Sequence, residues 1–290
     1  MKPIILFFGC LIVTATVSAQ NRPSFGSMYF QHPYLANPAM AGKDSGITVY
    51  VVHQQQISGG DGAPNAQALS ATYQLKGFRV GVQAGNNCYG LFNTVGARAS
   101  ISYSQPLGDA GETLHFGIAY GGYGTRIRSK DVEGDSDDPM IQQFNGRKVS
   151  YDGDLGLAYT DNHLTVQVVV PDFTTAFNKN REDLSGQMQL YTTVSYMIDI
   201  SGLPGTTLTP LAGYRLVKDE KGITDLGARF YFAQYRFGLE GVYHTSSSVT
   251  AGLTIAILPH LSVQCMYSSE PPVVRTYTNG NIEIGLKAGF

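Results

Sequence analysis

Asn281-Ile282-Glu283-Ile284-Gly285-Leu286-Lys287-Ala288-Gly289-Phe290 closes the chain, and its alternation decides the fold. Ile282, Ile284, Leu286, Ala288 and Phe290 share one face of an extended segment; Asn281, Glu283, Gly285, Lys287 and Gly289 share the other. A period of two is the strand period, because successive side chains point to opposite sides of the backbone. The pattern recurs upstream. Val95, Ala97, Ala99, Ile101 and Tyr103 alternate with Thr94, Gly96, Arg98, Ser100 and Ser102. Leu190, Thr192, Val194, Tyr196, Ile198 and Ile200 form another apolar face, and Leu164, Val166, Val168 and Val170 a third. Leu226, Ala228, Phe230 and Phe232 stand against Gly227, Arg229 and Tyr231.

Followed along the chain, this periodicity predicts about fourteen strands. They fall at 46–56, 66–75, 78–87, 94–105, 113–125, 149–160, 163–170, 188–200, 206–217, 222–232, 235–244, 248–257, 260–268 and 281–290. Most approach the ~9–11 residues that a tilted strand needs to cross a bilayer. Joins after even-numbered strands are mostly short, as at Lys76-Gly77, Asp161-Asn162, Ala233-Gln234 and Leu258-Pro259. Joins after odd-numbered strands are mostly longer, as at 126–148, 171–187 and 269–280; 106–112 and 245–247 depart from the rule. Short turns on one side and longer loops on the other characterise outer-membrane barrels. The expected class is therefore all-β, a monomeric transmembrane antiparallel β-barrel spanning 46–290. Its apolar face would meet lipid and its Ser, Thr, Gly, Gln and Tyr face the lumen. The competing arrangement is a soluble β-sandwich, whose strands average only ~5–6 residues.

Composition excludes other classes. Charged residues are 14% of the 290, against about 25% in ordinary soluble domains. Aromatics reach 11% with 18 Tyr, 14 Phe and no Trp, which opposes intrinsic disorder. A pI near 6.3 supplies no basic field for nucleic acid. Past the N-terminus there is no apolar run of ~20 residues, so helical spans are not expected.

Lys2, the apolar run Ile4 to Val17 and the small residues Val17-Ser18-Ala19 read as a signal peptide over 1–19. A lipoprotein reading of Phe8-Gly9-Cys10 competes, but the apolar run continues well past Cys10. Export leaves Cys88 and Cys265; Cys265 sits on an apolar strand face and reads as a small hydrophobe rather than half of a disulfide. Residues 20–45 would form a periplasmic lead-in or a plug.

Few residues suggest chemistry. The histidines at 32, 53, 115, 163, 244 and 260 lack metal-ligand spacing, and there is no Walker loop, nucleophile elbow or dinucleotide fingerprint. No enzyme activity, cofactor or metal is expected. The acidic stretch 131–138 departs from EF-hand spacing and reads as a solvated loop, with Ca²⁺ binding as its alternative. Asn37-Pro38-Ala39-Met40-Ala41-Gly42 reads as one helical turn: Asn caps it, Pro takes its first position and Gly ends it. Placed before the first strand, it either seals the barrel or docks a partner at a mouth.

These motifs resemble the PorP/SprF family of the type IX secretion and gliding systems. The likeness runs through Met28-Tyr29-Phe30-Gln31, Tyr34 to Gly42, Gln54-Gln55-Gln56 and Gly62-Ala63-Pro64. It continues in Asp137-Asp138-Pro139-Met140, Val170-Pro171-Asp172-Phe173 and Asn279 to Ile284. The family's usual Trp after the glutamines and His in the last strand are missing. Terminal Phe290 resembles the aromatic assembly signal of outer-membrane proteins. The resemblance implies an outer-membrane component that assists export or surface attachment of cargo by binding. Its partners would be type IX components and cargo C-terminal domains, with lipid around the barrel and no nucleic acid. Candidate docking residues are Asn37, Pro38, Gly42, Gly62, Ala63 and Pro64. The alternative function is a passive, porin-like channel for small solutes.

Overall fold

The computed structural model describes residues 25–44, 46–57, 62–108, 111–132, 138–174, 189–217, 222–272, 275 and 278–290. The signal-peptide and Cys10 readings lie outside them, as does most of the acidic loop, 133–137.

The strands are β1 (Ile47–Gln56), β2 (Asn65–Gln74), β3 (Phe78–Tyr89), β4 (Phe92–Pro106), β5 (Thr113–Ile127), β6 (Ser150–Thr160) and β7 (Leu164–Val170). There follow β8 (Gln189–Tyr196), its short continuation β9 (Ile198–Asp199), β10 (Thr207–Val217), β11 (Ile223–Phe232), β12 (Phe237–His244), β13 (Ser248–Leu258), β14 (Leu261–Ser268) and β15 (Asn281–Gly289). Met197 interrupts the eighth strand, so fifteen segments make fourteen staves. Each stave pairs antiparallel with its sequence neighbours, and β1 pairs with β15, Thr48 opposite Gly289 and Gln56 opposite Asn281. The result is a closed fourteen-stranded barrel with no free sheet edge. Backbone bonds between Ile47 and Phe290, 2.8 and 3.1 Å, extend the seam to the last residue.

The alternation maps onto inside and outside. In β15, Ile282, Ile284 and Leu286 are exposed on the outer wall, whereas Glu283 is 2% exposed within. In β4, Val95, Ile101 and Tyr103 face out while Ser100 and Ser102 are buried. Ten residues rising ~3.4 Å each and tilted about 40° cross about 25 Å, the height of an outer-membrane apolar band.

Turns are short at the end that carries Ile47 and Phe290. Asp161 pins one of them: its carboxylate accepts the N–H groups of His163 and Leu164, both at 2.7 Å. Those bonds hold its carboxyl below the usual range. At the opposite end β3 and β4 run on to a turn at Gly90-Leu91, shorter than the expected 88–93 join. The loop after β5 there holds α1 (Pro139–Asn145), which Asp138 caps by accepting the Met140 N–H at 2.7 Å. By the usual asymmetry the short-turn end is periplasmic.

Cys88 is buried and Cys265 lies exposed on the outer wall; both are free thiols.

Candidate functional site

The barrel's core is its own N-terminal segment. Residues 25–44 run through the lumen, and Phe25, Ser27, Tyr29, Phe30, Tyr34, Asn37, Ala39 and Met40 are all buried there. Three apolar clusters join the segment to the wall. Tyr29 and Phe30 pack on Val169, Tyr191, Leu211 and Val242; Phe25 on Tyr50, Val52 and Ala66; Ala39 and Met40 on Ala158. A polar inner face was expected, around either water or a plug. Val52, Val169 and Val242 also point inward, because they meet the aromatic side chains Phe25, Tyr29 and Phe30 of the plug.

Polar contacts then fix the segment residue by residue. The Glu283 carboxylate accepts the Gly26 N–H at 2.6 Å and the Ser27 N–H at 3.0 Å. Asp225, fully buried, accepts from Tyr29 Oη at 2.9 Å, from Arg215 through two bonds of 2.9 Å, and bonds His244 Nδ1 at 2.6 Å. His32 stacks on Tyr50 with ring centroids 4.6 Å apart and bonds Ser70 at 2.8 Å. Tyr34 bonds Ser100 at 2.7 Å, and its carbonyl accepts from Gln83 at 2.6 Å. A buried polar group without a partner costs about 1–3 kcal/mol, so each of these bonds penalises removal of the segment.

The Asn-Pro-Ala turn is a 3-10 turn over Pro38–Met40, with the Asn37 side chain accepting the Ala39 N–H at 2.9 Å. Its amide also donates to Gln167 at 3.2 Å and to the Leu157 carbonyl at 3.3 Å. Two wall glycines make room for it. A Cβ on Gly117 would strike the Ala39 backbone, and one on Gly156 would strike Asn37 Oδ1. The turn was expected either to seal the barrel or to dock a partner at a mouth. Asn37 and Pro38 are buried inside, as a sealing element would be, and Gly42, in the left-handed region at φ +59°, is buried against Arg79. The cause is the pair of glycines, which lets the backbone close on the wall.

The other candidates lie elsewhere. Gly62, Ala63 and Pro64 are half-buried at the loop rim between β1 and β2. Gly62, at φ +85°, accepts the Gly90 N–H at 3.0 Å, and Pro64 accepts the Gln56 N–H at 3.0 Å. That corner bridges two loops of the rim. Phe290 is 79% exposed at the opposite, turn end. The structure therefore does not gather these residues into one place. Sequence reasoning missed Glu283, Asp225, Ser70 and Ser100 as partners of the plug. Their signal was a polar residue facing inward, which did not name what it faced. Among the described residues no group of three or more His, Cys, Asp or Glu is placed to hold a metal.

A closed fourteen-stranded barrel with an apolar outer band defines the class: a bacterial outer-membrane β-barrel. Solved barrels share the fold. Omp33 of Acinetobacter baumannii superposes with a TM-score of 0.53 at 11% identity, covering 86% of this chain and 100% of its own. The toluene transporter TbuX of Ralstonia pickettii gives 0.55 at 12%, covering 89% and 93%. The monoaromatic hydrocarbon channel CymD gives 0.51 at 12%, covering 88% and 92%. No curated protein sequence matched the chain significantly. The family model described as type IX secretion system membrane protein PorP/SprF matches residues 17–288. The chain belongs to that family.

Proposed function

We propose that this barrel serves type IX secretion by binding a secreted protein or a component of the machinery, rather than by passing solutes or by catalysis. The observation that supports this best is the filled lumen. A segment anchored to Glu283, Asp225, Ser70, Ser100 and Gln167 occupies the route that a passive pore would leave open. Family membership supplies the secretion context. Asn37 and Pro38, being buried, would act by holding the plug, so docking falls to the rims: the Gly62-Ala63-Pro64 corner on the loop side and the turn-side mouth.

TbuX is a toluene transporter and CymD a monoaromatic hydrocarbon channel; for solute passage here the plug would first have to leave. Deleting the gene separates the two readings. We expect one cargo protein, or a small set, to disappear from the cell surface while small-solute uptake is unchanged. A normal surface proteome with reduced solute permeability would discard secretion and leave the channel.

A further inference from the structure

At the turn-side mouth the plug leaves a cavity of about 200 Å³, between its own residues and the inner faces of β2, β11 and β15. That is below the ~300–1,000 Å³ of ordinary small-molecule sites, so it fits a single group rather than a cofactor. Its charge is one-sided. Lys43, Arg229 and Lys287 line it, and among the described residues Asp44 is its one lining carboxylate. Asp44 pairs with Lys287 at 2.7 Å. Lys43 and Arg229 have no ion pair among the described residues. Arg229 donates to the Phe30 carbonyl at 3.2 Å and lies over the Phe30 and Tyr231 rings, while its Nε has no acceptor. The rest of the lining is mixed: Phe30, Pro33, Met40 and Tyr231 stand beside Gln31, His32, Tyr34 and Thr72.

We propose that this cavity binds the carboxylate of an acidic peptide segment presented from the turn side. Three cations against one lining carboxylate, with the Glu240 carboxylate behind Arg229 on the neighbouring strand, leave a positive site that favours one anionic oxygen group. Phe30, Pro33 and Met40 beside the cations give the aliphatic stem of a Glu or a chain terminus a surface to pack on, which an inorganic ion lacks. A lipid headgroup is disfavoured because the site opens into the lumen mouth, behind the strand wall. Asp44 already occupies Lys287 with a carboxylate of the chain itself, so it competes with the incoming one. This deepens the reading that partners bind at a rim, and rests on it.

The test uses the purified full barrel in detergent and a fluorescent hexaglutamate peptide, with a hexalysine peptide and inorganic phosphate as separate arms. Hexaglutamate should bind, and weaken as salt rises. Lys43→Glu should weaken it roughly tenfold or more, and Asp44→Asn should tighten it several-fold. The Lys43 side chain has no hydrogen-bond acceptor among the described residues and Lys43 and Asp44 are both exposed, so both variants should retain heat-modifiable migration; that gel is run alongside. A merely structural role for these residues cannot produce opposite changes in affinity. Equal binding of hexalysine, or no response to both substitutions, would overturn the proposal. Phosphate displacing the peptide at equal concentration would overturn the assignment to a peptide carboxylate. Loss of surface cargo in cells is a separate readout, so the export reading can fail while this site stands, and the reverse.

Discussion

The two faces of the barrel wall are built on different principles. The outer face is a band of Val, Ile, Leu, Phe and Tyr meeting lipid, which asks for apolarity and no particular partner. The inner face meets a segment of fixed sequence, and nearly every contact is specific: Glu283 to two backbone N–H groups, Asp225 to Tyr29, Ser70 to His32, Ser100 to Tyr34, Gln167 to Asn37. The outer face should therefore tolerate exchange among apolar residues, whereas the inner face should not tolerate exchange among polar ones. The plug, more than the lipid band, makes this barrel a particular protein.

The largest effect is expected at Asp225. It neutralises Arg215, bonds His244 and receives Tyr29 at once. Asp225→Ala would leave Arg215 buried and unpaired, at a cost of about 3–5 kcal/mol, read as a lower denaturation midpoint in detergent or lipid. A loss below ~1 kcal/mol would mean that water reaches this group and the lumen is not filled there.

On the outer face, Leu286→Arg should cost about 2–4 kcal/mol, the penalty for a cation near the midplane of a barrel's lipid face. Lys287→Ala, one residue on and facing inward, should matter less for folded barrel in the membrane. Equal outer-membrane abundance of the two variants would reverse the strand orientation. The smallest effect is expected for Tyr34→Phe, which removes the 2.7 Å bond to Ser100 and keeps the ring. About 1 kcal/mol should be lost, together with faster proteolysis of the N-terminal segment.

The same contrast explains what could be read beforehand. All fourteen staves appear where alternation placed them, because the lipid face is written locally in residues two apart. The helical turn with its Asn cap was also legible, since capping spans only Asn37 to Ala39. Its place stayed open between a periplasmic lead-in and a plug. Gly26 and Ser27 find Glu283 more than 250 residues away, and no periodicity joins them. Nor does local pattern pair Gly117 and Gly156 with the turn they make room for. The Gly62-Ala63-Pro64 corner was legible as a loop, but not its bond to Gly90, which depends on two loops meeting at the rim.

Conductance across a planar bilayer tests the filled lumen most directly. The purified barrel is expected to remain closed to small ions. A variant lacking residues 25–44, or carrying Gly117→Leu to force the Asn-Pro-Ala turn off the wall, is expected to open while still migrating as a folded barrel. A native protein that conducts as freely as the variant without its plug would contradict the closed barrel, and with it the binding role.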